Sequence, residues 1–308
     1  MPVSDDILNS SCQLGYDHKP VTYASGYQKG MAWLSEAGVS NAGNEALWLL
    51  ESVLGITRLD IHTKPETTVG RASWSRVVAA FHRRASGEPL QYILGTQEFR
   101  GLEITVRPGV LIPRIETELI IEMVHALVPC QKRLVMADVG TGSGCLAVAL
   151  ALEFPESIIF ATDCSELALE VAETNARRHS VQERIRFQRG DLLESLGRFP
   201  ELDHGLSIIV SNPPYIPTEQ LGNLQREVRD FEPRIALDGG SDGLVFYRRL
   251  LGEALSLLQP NGWMVLEVGE GQAPRICKEI DGHESWSLHH VRQDDAGIDR
   301  VMALERKG

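Results

Sequence analysis

The chain has 308 residues, 43% of them apolar and 23% charged, which is enough for two domains and a sizeable core and excludes a low-complexity or fibrous protein. A formal net charge of −12 argues against a protein that lives on nucleic-acid phosphates. The cysteines Cys12, Cys130, Cys145, Cys164 and Cys277 are odd in number and lack the spacing of a disulfide framework or zinc site, and the longest apolar run, Leu146 to Leu152, is too short to span a bilayer. A cytoplasmic protein is expected, without membrane or direct nucleic-acid contact.

Residues 1–22 show no periodicity and read as a flexible leader whose polar, acidic start is unlike a signal or transit peptide. Residues 23–86 carry helical periodicity. Met31 and Leu34 begin one apolar face, Ala46 to Leu54 form another with Gly55 as its cap, and Val77, Val78, Ala80 and Phe81 give a third. This predicts a small helical domain. A substrate-docking module and a stabilising cap fit its residues equally well. Residues 87–112 read as a β-hairpin linker: Tyr92 to Leu94, then Phe99, Ile104 and Val106, lie in short strands with turns near Gly95 and Gly101.

From residue 113 to 308 the pattern alternates. Arg114-Ile115-Glu116-Thr117-Glu118 leads into a helix ending near Leu127. Strands at 134–137, 158–161, 185–187, 206–210 and 263–268 are separated by helices at 145–154, 166–178 and about 246–258. Such alternation predicts an α/β, doubly wound, mainly parallel sheet. The last two strand candidates, 286–291 and 300–304, are joined by only a short acidic loop, which favours antiparallel pairing.

Three features mark the strand ends of this sheet, where open α/β folds bind ligands. The loop Asp138-Val139-Gly140-Thr141-Gly142-Ser143-Gly144 lets main chain approach a ligand at a helix N-terminus. About one strand-helix-strand unit later, Asp163 ends the second strand, where a carboxylate accepts from ribose hydroxyls. Asp191, in Gly190-Asp191-Leu192 after the third strand, can reach an adenine amino group. After the next apolar run comes Ser211-Asn212-Pro213-Pro214-Tyr215, where two prolines force the chain out of the sheet in a fixed, extended conformation. An amide and an aromatic ring there suit a planar nitrogen group.

This ordered set resembles the class I S-adenosylmethionine-dependent methyltransferases, whose Asn-Pro-Pro-Tyr branch methylates amino and amide nitrogens. The resemblance implies a Rossmann-like seven-stranded sheet with its last strand antiparallel. Asp138, Gly140, Thr141, Gly142, Ser143 and Gly144 would then hold the methionine part of S-adenosyl-L-methionine, Asp163 its ribose, and Asp191 with the Leu192 backbone its adenine, with Asn212 also counted among the cofactor-binding residues. The product would be S-adenosyl-L-homocysteine, and no metal is expected. An amide nitrogen is a poor nucleophile because its lone pair is delocalised. The Asn212 side-chain oxygen and the Pro213 carbonyl would each accept one N–H, favour sp³ character and aim the lone pair, while Pro214 and Tyr215 complete the substrate side and Tyr215 stacks on the planar group.

Further segments resemble the HemK family of protein-(glutamine) methyltransferases of the PrmC type: Gly87-Glu88-Pro89-Leu90-Gln91-Tyr92-Ile93-Leu94-Gly95, Glu98-Phe99, Leu111-Ile112-Pro113-Arg114, Glu116-Thr117-Glu118, and the run from Glu232 to Leu244. Membership would make class I peptide-chain release factors the partners, the glutamine of their Gly-Gly-Gln motif the target, and the helical domain the docking module of a monomer. A ribosomal-protein glutamine methyltransferase and a nucleic-acid adenine amino-methyltransferase are the alternatives. The family usually has proline after the arginine, where this chain has Ile115; loss of the fixed φ predicts a less rigid loop. Arg114, Glu116 and Glu118 either shape the active-site floor or form a helix-start charge cluster.

Overall fold

The computed structural model describes residues 20–129, 133–196 and 199–308. The chain divides into two compact units, one ending at Leu94 and the other spanning Gly95–Gly308. Among the described residues no helix is long and apolar enough to cross a membrane.

The first unit is helical, as the periodicity predicts. Its helices are α1 (Tyr23–Glu36), α2 (Ala42–Leu54), α3 (Arg58–Thr63), α4 (Arg71–Ala85) and α5 (Leu90–Leu94). Thr22 starts α1 with a capping box to Ser25, and Gly55 ends α2 in the left-handed region at φ 68°. Leu34, Ala46, Leu49, Leu50 and Val77 are wholly buried, each large apolar side chain contributing roughly 1.5–3 kcal/mol. Met31 does not share that face: α1 buries Gly26, Gly30 and Leu34, and Met31 is exposed. Gly30 is there for space, since a Cβ would sit 2.2 Å from Phe81 Cζ. A buried Arg84–Glu45 ion pair joins α4 to α2.

Two expectations change in this unit. The expected leader, 1–22, lies outside the described residues up to 19, and its last residues are built into the unit. The Val21 carbonyl accepts from the Val69 N–H at 2.7 Å, and Thr22 caps α1. Tyr92 to Leu94 are not a strand but lie in α5. Pro89 supplies a preset φ and a carbonyl that takes the Tyr92 and Ile93 N–H groups, and Gly95 stops the turn at φ 80°.

The second unit begins with the hairpin β1 (Thr96–Phe99) and β2 (Leu102–Thr105), which turns through Arg100 and Gly101, both at positive φ. The hairpin falls in this unit and is held to α8. Buried Asn175 accepts from the Thr105 N–H at 2.7 Å and donates to the Thr105 carbonyl at 3.0 Å and the Ser143 carbonyl at 2.8 Å. Helix α6 (Glu118–Leu127) then leads to β3 (Val135–Val139), α7 (Cys145–Glu153), β4 (Ile158–Asp163), α8 (Glu166–Arg178), β5 (Ile185–Arg189) and β6 (Leu206–Ser211). The short α9 (Arg226–Phe231), α10 (Val245–Glu253), β7 (Leu258–Glu267), α11 (Ala273–Ile280), β8 (Trp286–Gln293) and β9 (Asp299–Arg306) complete it. The helix expected to 258 ends at Glu253, one 3-10 turn before β7 starts.

The seven strands run in the order β5-β4-β3-β6-β7-β9-β8. All neighbours from β5 to β7 are parallel, and β9 pairs antiparallel with both β7 and β8. This is the expected seven-stranded sheet with its last strand antiparallel. Chain order reverses about β3, which lies between β4 and β6, and this makes the C-terminal ends of β3, β4 and β6 the natural ligand crevice. In register, Val139 stands beside Thr162 on one side and Ser211 on the other.

Candidate active site

The glycine loop leaves β3 with Gly140, Gly142 and Gly144 at φ 73°, 55° and 79°. At Gly144 a Cβ would come within 2.8 Å of Ala172 Cβ, so glycine there also permits close packing of α7 on α8. The loop N–H groups of Gly140 and Thr141 bind the Thr162 carbonyl at 2.9 and 2.8 Å. Gly142 N–H donates to Asp163 Oδ2 at 2.9 Å, while Asp163 Oδ1 accepts from Ser165 N–H at 2.9 Å. Asp163 therefore shapes the loop and presents its carboxylate beside it; burial raises its pKa.

Asp138 lies beneath the loop. Its Oδ2 accepts from the Thr141 hydroxyl at 2.6 Å and the Ala147 N–H at 3.1 Å, and its Oδ1 has no partner among the described residues. Burial pushes its pKa up to about 7. Asp191 is held by Arg249 at 3.0 Å, and Leu192 sits at φ 51° with its carbonyl accepting from the Thr162 hydroxyl at 2.9 Å. Ser143 is buried, with its carbonyl bound by Asn175.

Around these ends opens a cavity of about 400 Å³. Gly140 to Ser143, Asp163, Asp191, Leu192, Asn212, Pro214 and Arg114 line it, bringing most of the expected site residues together. Gly144, Asp138, Glu116, Pro213 and Tyr215 are not among its lining residues. Gly144 and Asp138 support the loop from behind. The Tyr215 hydroxyl points to Glu267 Oε1 at 3.4 Å and its ring packs near Gly269, so it lies alongside the turn rather than in the cavity wall. Arg114 is ion-paired with buried Glu232, which also accepts from the Ile112 N–H at 3.1 Å. Glu118 instead accepts from the Arg100 N–H at 2.8 Å and serves the hairpin turn. Ile115 is 76% exposed.

Sequence reasoning passed over several residues of this site. Val110, Ala168 and Phe246 supply apolar wall, and Arg249 reaches Asp191 from α10; nothing in their local pattern distinguishes them from core or surface positions. More consequential are Thr117 and Glu267. Asn212 Nδ2 donates to Thr117 Oγ1 at 3.1 Å, and that hydroxyl donates to Glu267 Oε2 at 2.6 Å. Thr117 stands in the middle of the Glu-Thr-Glu segment, which was the available signal. Beneath them Gln272 donates to the Tyr215 carbonyl at 2.8 Å, and Tyr247 to the Glu267 carbonyl at 2.9 Å.

These residues fit a nucleoside-bearing cation. A largely apolar cavity adjoins the carboxylates of Asp163 and Asp191, and one buried oxygen of Asp138 has no partner among the described residues. Parallel sheets of this strand order, with the antiparallel strand inserted near one edge and a glycine loop at the switch point, are those of the class I methyltransferases, and this unit is one. The hMettl16 catalytic domain in complex with MAT2A 3'UTR hairpin 6 shares the fold, with a TM-score of 0.52 over 74% of this chain and 81% of that one, at 18% identity. A family model described as the PrmC N-terminal domain matches residues 27–95, and one described as the methyltransferase small domain matches 115–229. The release factor glutamine methyltransferase of Geobacter sulfurreducens is 43% identical over 270 residues, 88% of this chain and 92% of that protein. Its counterpart from Moorella thermoacetica is 41% identical over 275 residues, 89% and 95% of the two chains. The chain belongs to the release factor glutamine methyltransferase family.

Proposed function

We propose that the protein methylates the side-chain amide nitrogen of the glutamine in the Gly-Gly-Gln motif of class I peptide-chain release factors. The carrying observation is the orientation of Asn212: its NH₂ is held by Thr117, which leaves its carbonyl oxygen to accept an N–H in the cavity. A second N–H of the target amide goes to the Pro213 carbonyl. Held by two acceptors, the nitrogen gains sp³ character and its lone pair acquires a fixed direction.

Asp163 would hold the ribose of S-adenosylmethionine, Asp191 and Leu192 the adenine side, and Gly140 to Gly144 with Asp138 the methionine side. When bound, that group supplies an electrophilic sulfonium methyl and departs as S-adenosylhomocysteine. Arg114, fixed by Glu232, closes the cavity on the side of the residue-113 segment, and Glu116 sits next to it outside the lining. Pro214 forms wall, and Tyr215 fixes the turn by its contacts with Glu267 and Gln272. The amide proton becomes acidic once the nitrogen carries the methyl, so no strong base is needed.

We assign release-factor docking to the helical unit, supported by the PrmC N-terminal match over 27–95. The described cysteines, Cys145, Cys164 and Cys277, are free thiols, in keeping with a cytoplasmic setting. Incubation with methyl-labelled donor and, separately, release factor, ribosomal protein and DNA tests the assignment. Label should enter the release factor alone and vanish when the Gly-Gly-Gln glutamine is changed to alanine. Incorporation into DNA or ribosomal protein instead would refute it. Asn212→Ala should lower turnover at least about 100-fold with cofactor affinity largely kept, measured by single-turnover kinetics and calorimetry; equal loss of both would make Asn212 a cofactor or fold residue.

A further inference from the structure

Asn212, Thr117 and Glu267 come from the end of β6, the turn before α6 and the end of β7, and they meet in a single hydrogen-bonded line. A hydroxyl has one proton. Because Thr117 gives that proton to Glu267 Oε2 at 2.6 Å, it can only accept from Asn212. The Asn212 NH₂ therefore faces Thr117. Without this constraint an asparagine amide could be turned end for end at little cost, presenting N–H instead of C=O to the target.

We propose that Glu267 is a positioning residue for methyl transfer, acting through the Thr117 hydroxyl to keep the Asn212 carbonyl oxygen turned toward the target amide. The inference rests on the reading of Asn212 as an acceptor for the target N–H. It also accounts for an otherwise costly arrangement. Glu267 is 2% exposed, and burying a carboxylate without an ion pair costs several kcal/mol. Among the described residues its other oxygen has only the Tyr215 hydroxyl at 3.4 Å, a long bond. Arg300 on β9 attracts its charge but is itself paired with Asp294 at 2.8 Å, and Glu116 on the turn before α6 opposes it. Tyr247 from α10 binds only its main-chain carbonyl, and Cys145 of α7 feels its charge without bonding to it.

A protonated Glu267 reverses the line. Its acid O–H becomes the donor, Thr117 accepts, and the freed threonine proton is offered to Asn212, whose amide turns its NH₂ to the cavity. Burial holds the Glu267 pKa near 7, so this reversal falls within the working range. The active form is the ionised one, present above that pKa and lost as pH falls through it.

The test uses the full chain with labelled S-adenosylmethionine and a class I release factor, both saturating. Wild-type kcat should fall with unit slope below about pH 7, and Glu267→Gln, which cannot take up that proton, should lose this acid limb. Thr117→Val keeps the side-chain shape and should lower kcat about 100-fold with unchanged cofactor affinity. Thr117→Ser keeps the hydroxyl and should restore kcat to within about threefold of wild type, a rescue that a packing role would reverse. An acid limb retained in Glu267→Gln, or a Val variant as fast as the Ser variant, overturns the inference. Full turnover by Asn212→Ala would instead overturn the reading on which it rests.

Discussion

A buried carboxylate whose pKa is raised makes the native state bind more protons than the unfolded chain. Asp138 and Glu267 both do so, each at about 7 against an ordinary value near 4. Between those values the native state holds protons that the unfolded chain has released, so the contribution of these two groups to stability declines as pH rises from about 4 to about 7 and levels off above. Removing one such group should flatten that decline: urea denaturation of Glu267→Gln across this range should show a shallower slope than wild type. Ile115 offers a second residue-level test. Arg114 has φ −104° and ψ 149°, the extended backbone that a residue before proline adopts, and Ile115 opens a 3-10 turn with its side chain in solvent. Ile115→Pro should therefore be accommodated and raise unfolding free energy by about 0.4–1 kcal/mol, read from the denaturation midpoint. A loss of stability would show that the turn needs the Ile115 N–H or a different φ.

Among the elements, Asn175 of α8 links the hairpin to the glycine loop by three hydrogen bonds. Asn175→Leu strands two carbonyls and an N–H in a buried place, and should cost about 3 kcal/mol and weaken cofactor binding; equal affinity would mean that the loop keeps its shape unaided. How far the elements could be read from sequence varied with the range of their determinants. β3, β4 and β6 were legible because each is an apolar run closed by a residue of special chemistry: Asp138 and the glycines, Asp163, Asn212 and the prolines. Residues 92–94 misled because an apolar triplet has no period, and Pro89 and Gly95 decided for a helical turn. Helix α11, eight residues long with a proline in its first turn, was passed over for lack of length. Thr117 and Glu267, 150 positions apart, could not be paired by any local pattern; only the fold brings them under Asn212.

On the scale of the whole molecule, the cavity belongs to one of the two units. Every residue lining the cavity falls between Gly109 and Arg249, inside the second unit. A chain starting at Gly95 should thus bind S-adenosylmethionine with near-native affinity by calorimetry while losing methyl transfer to release factor. Retained transfer would remove docking from the helical unit. Within that unit, Gly30→Ala would drive a methyl into the Phe81 ring and should cost about 1–3 kcal/mol. Hydrogen exchange should register the loss in α1 and α4 while the sheet keeps its protection.

The place of β9 ties one edge of the sheet to its interior. It is synthesised after both of its neighbours, β7 and β8, yet lies between them, and its Val301 to Leu304 are wholly buried. Without β9, one edge of β7 would present a row of unpaired main-chain groups, and β8 would lack the strand it pairs with. Glu267 pairs in register with Val301 of β9, so the strand carrying one end of the line through Thr117 to Asn212 is itself held by β9. Pairing of β9 thus serves the sheet and the site together.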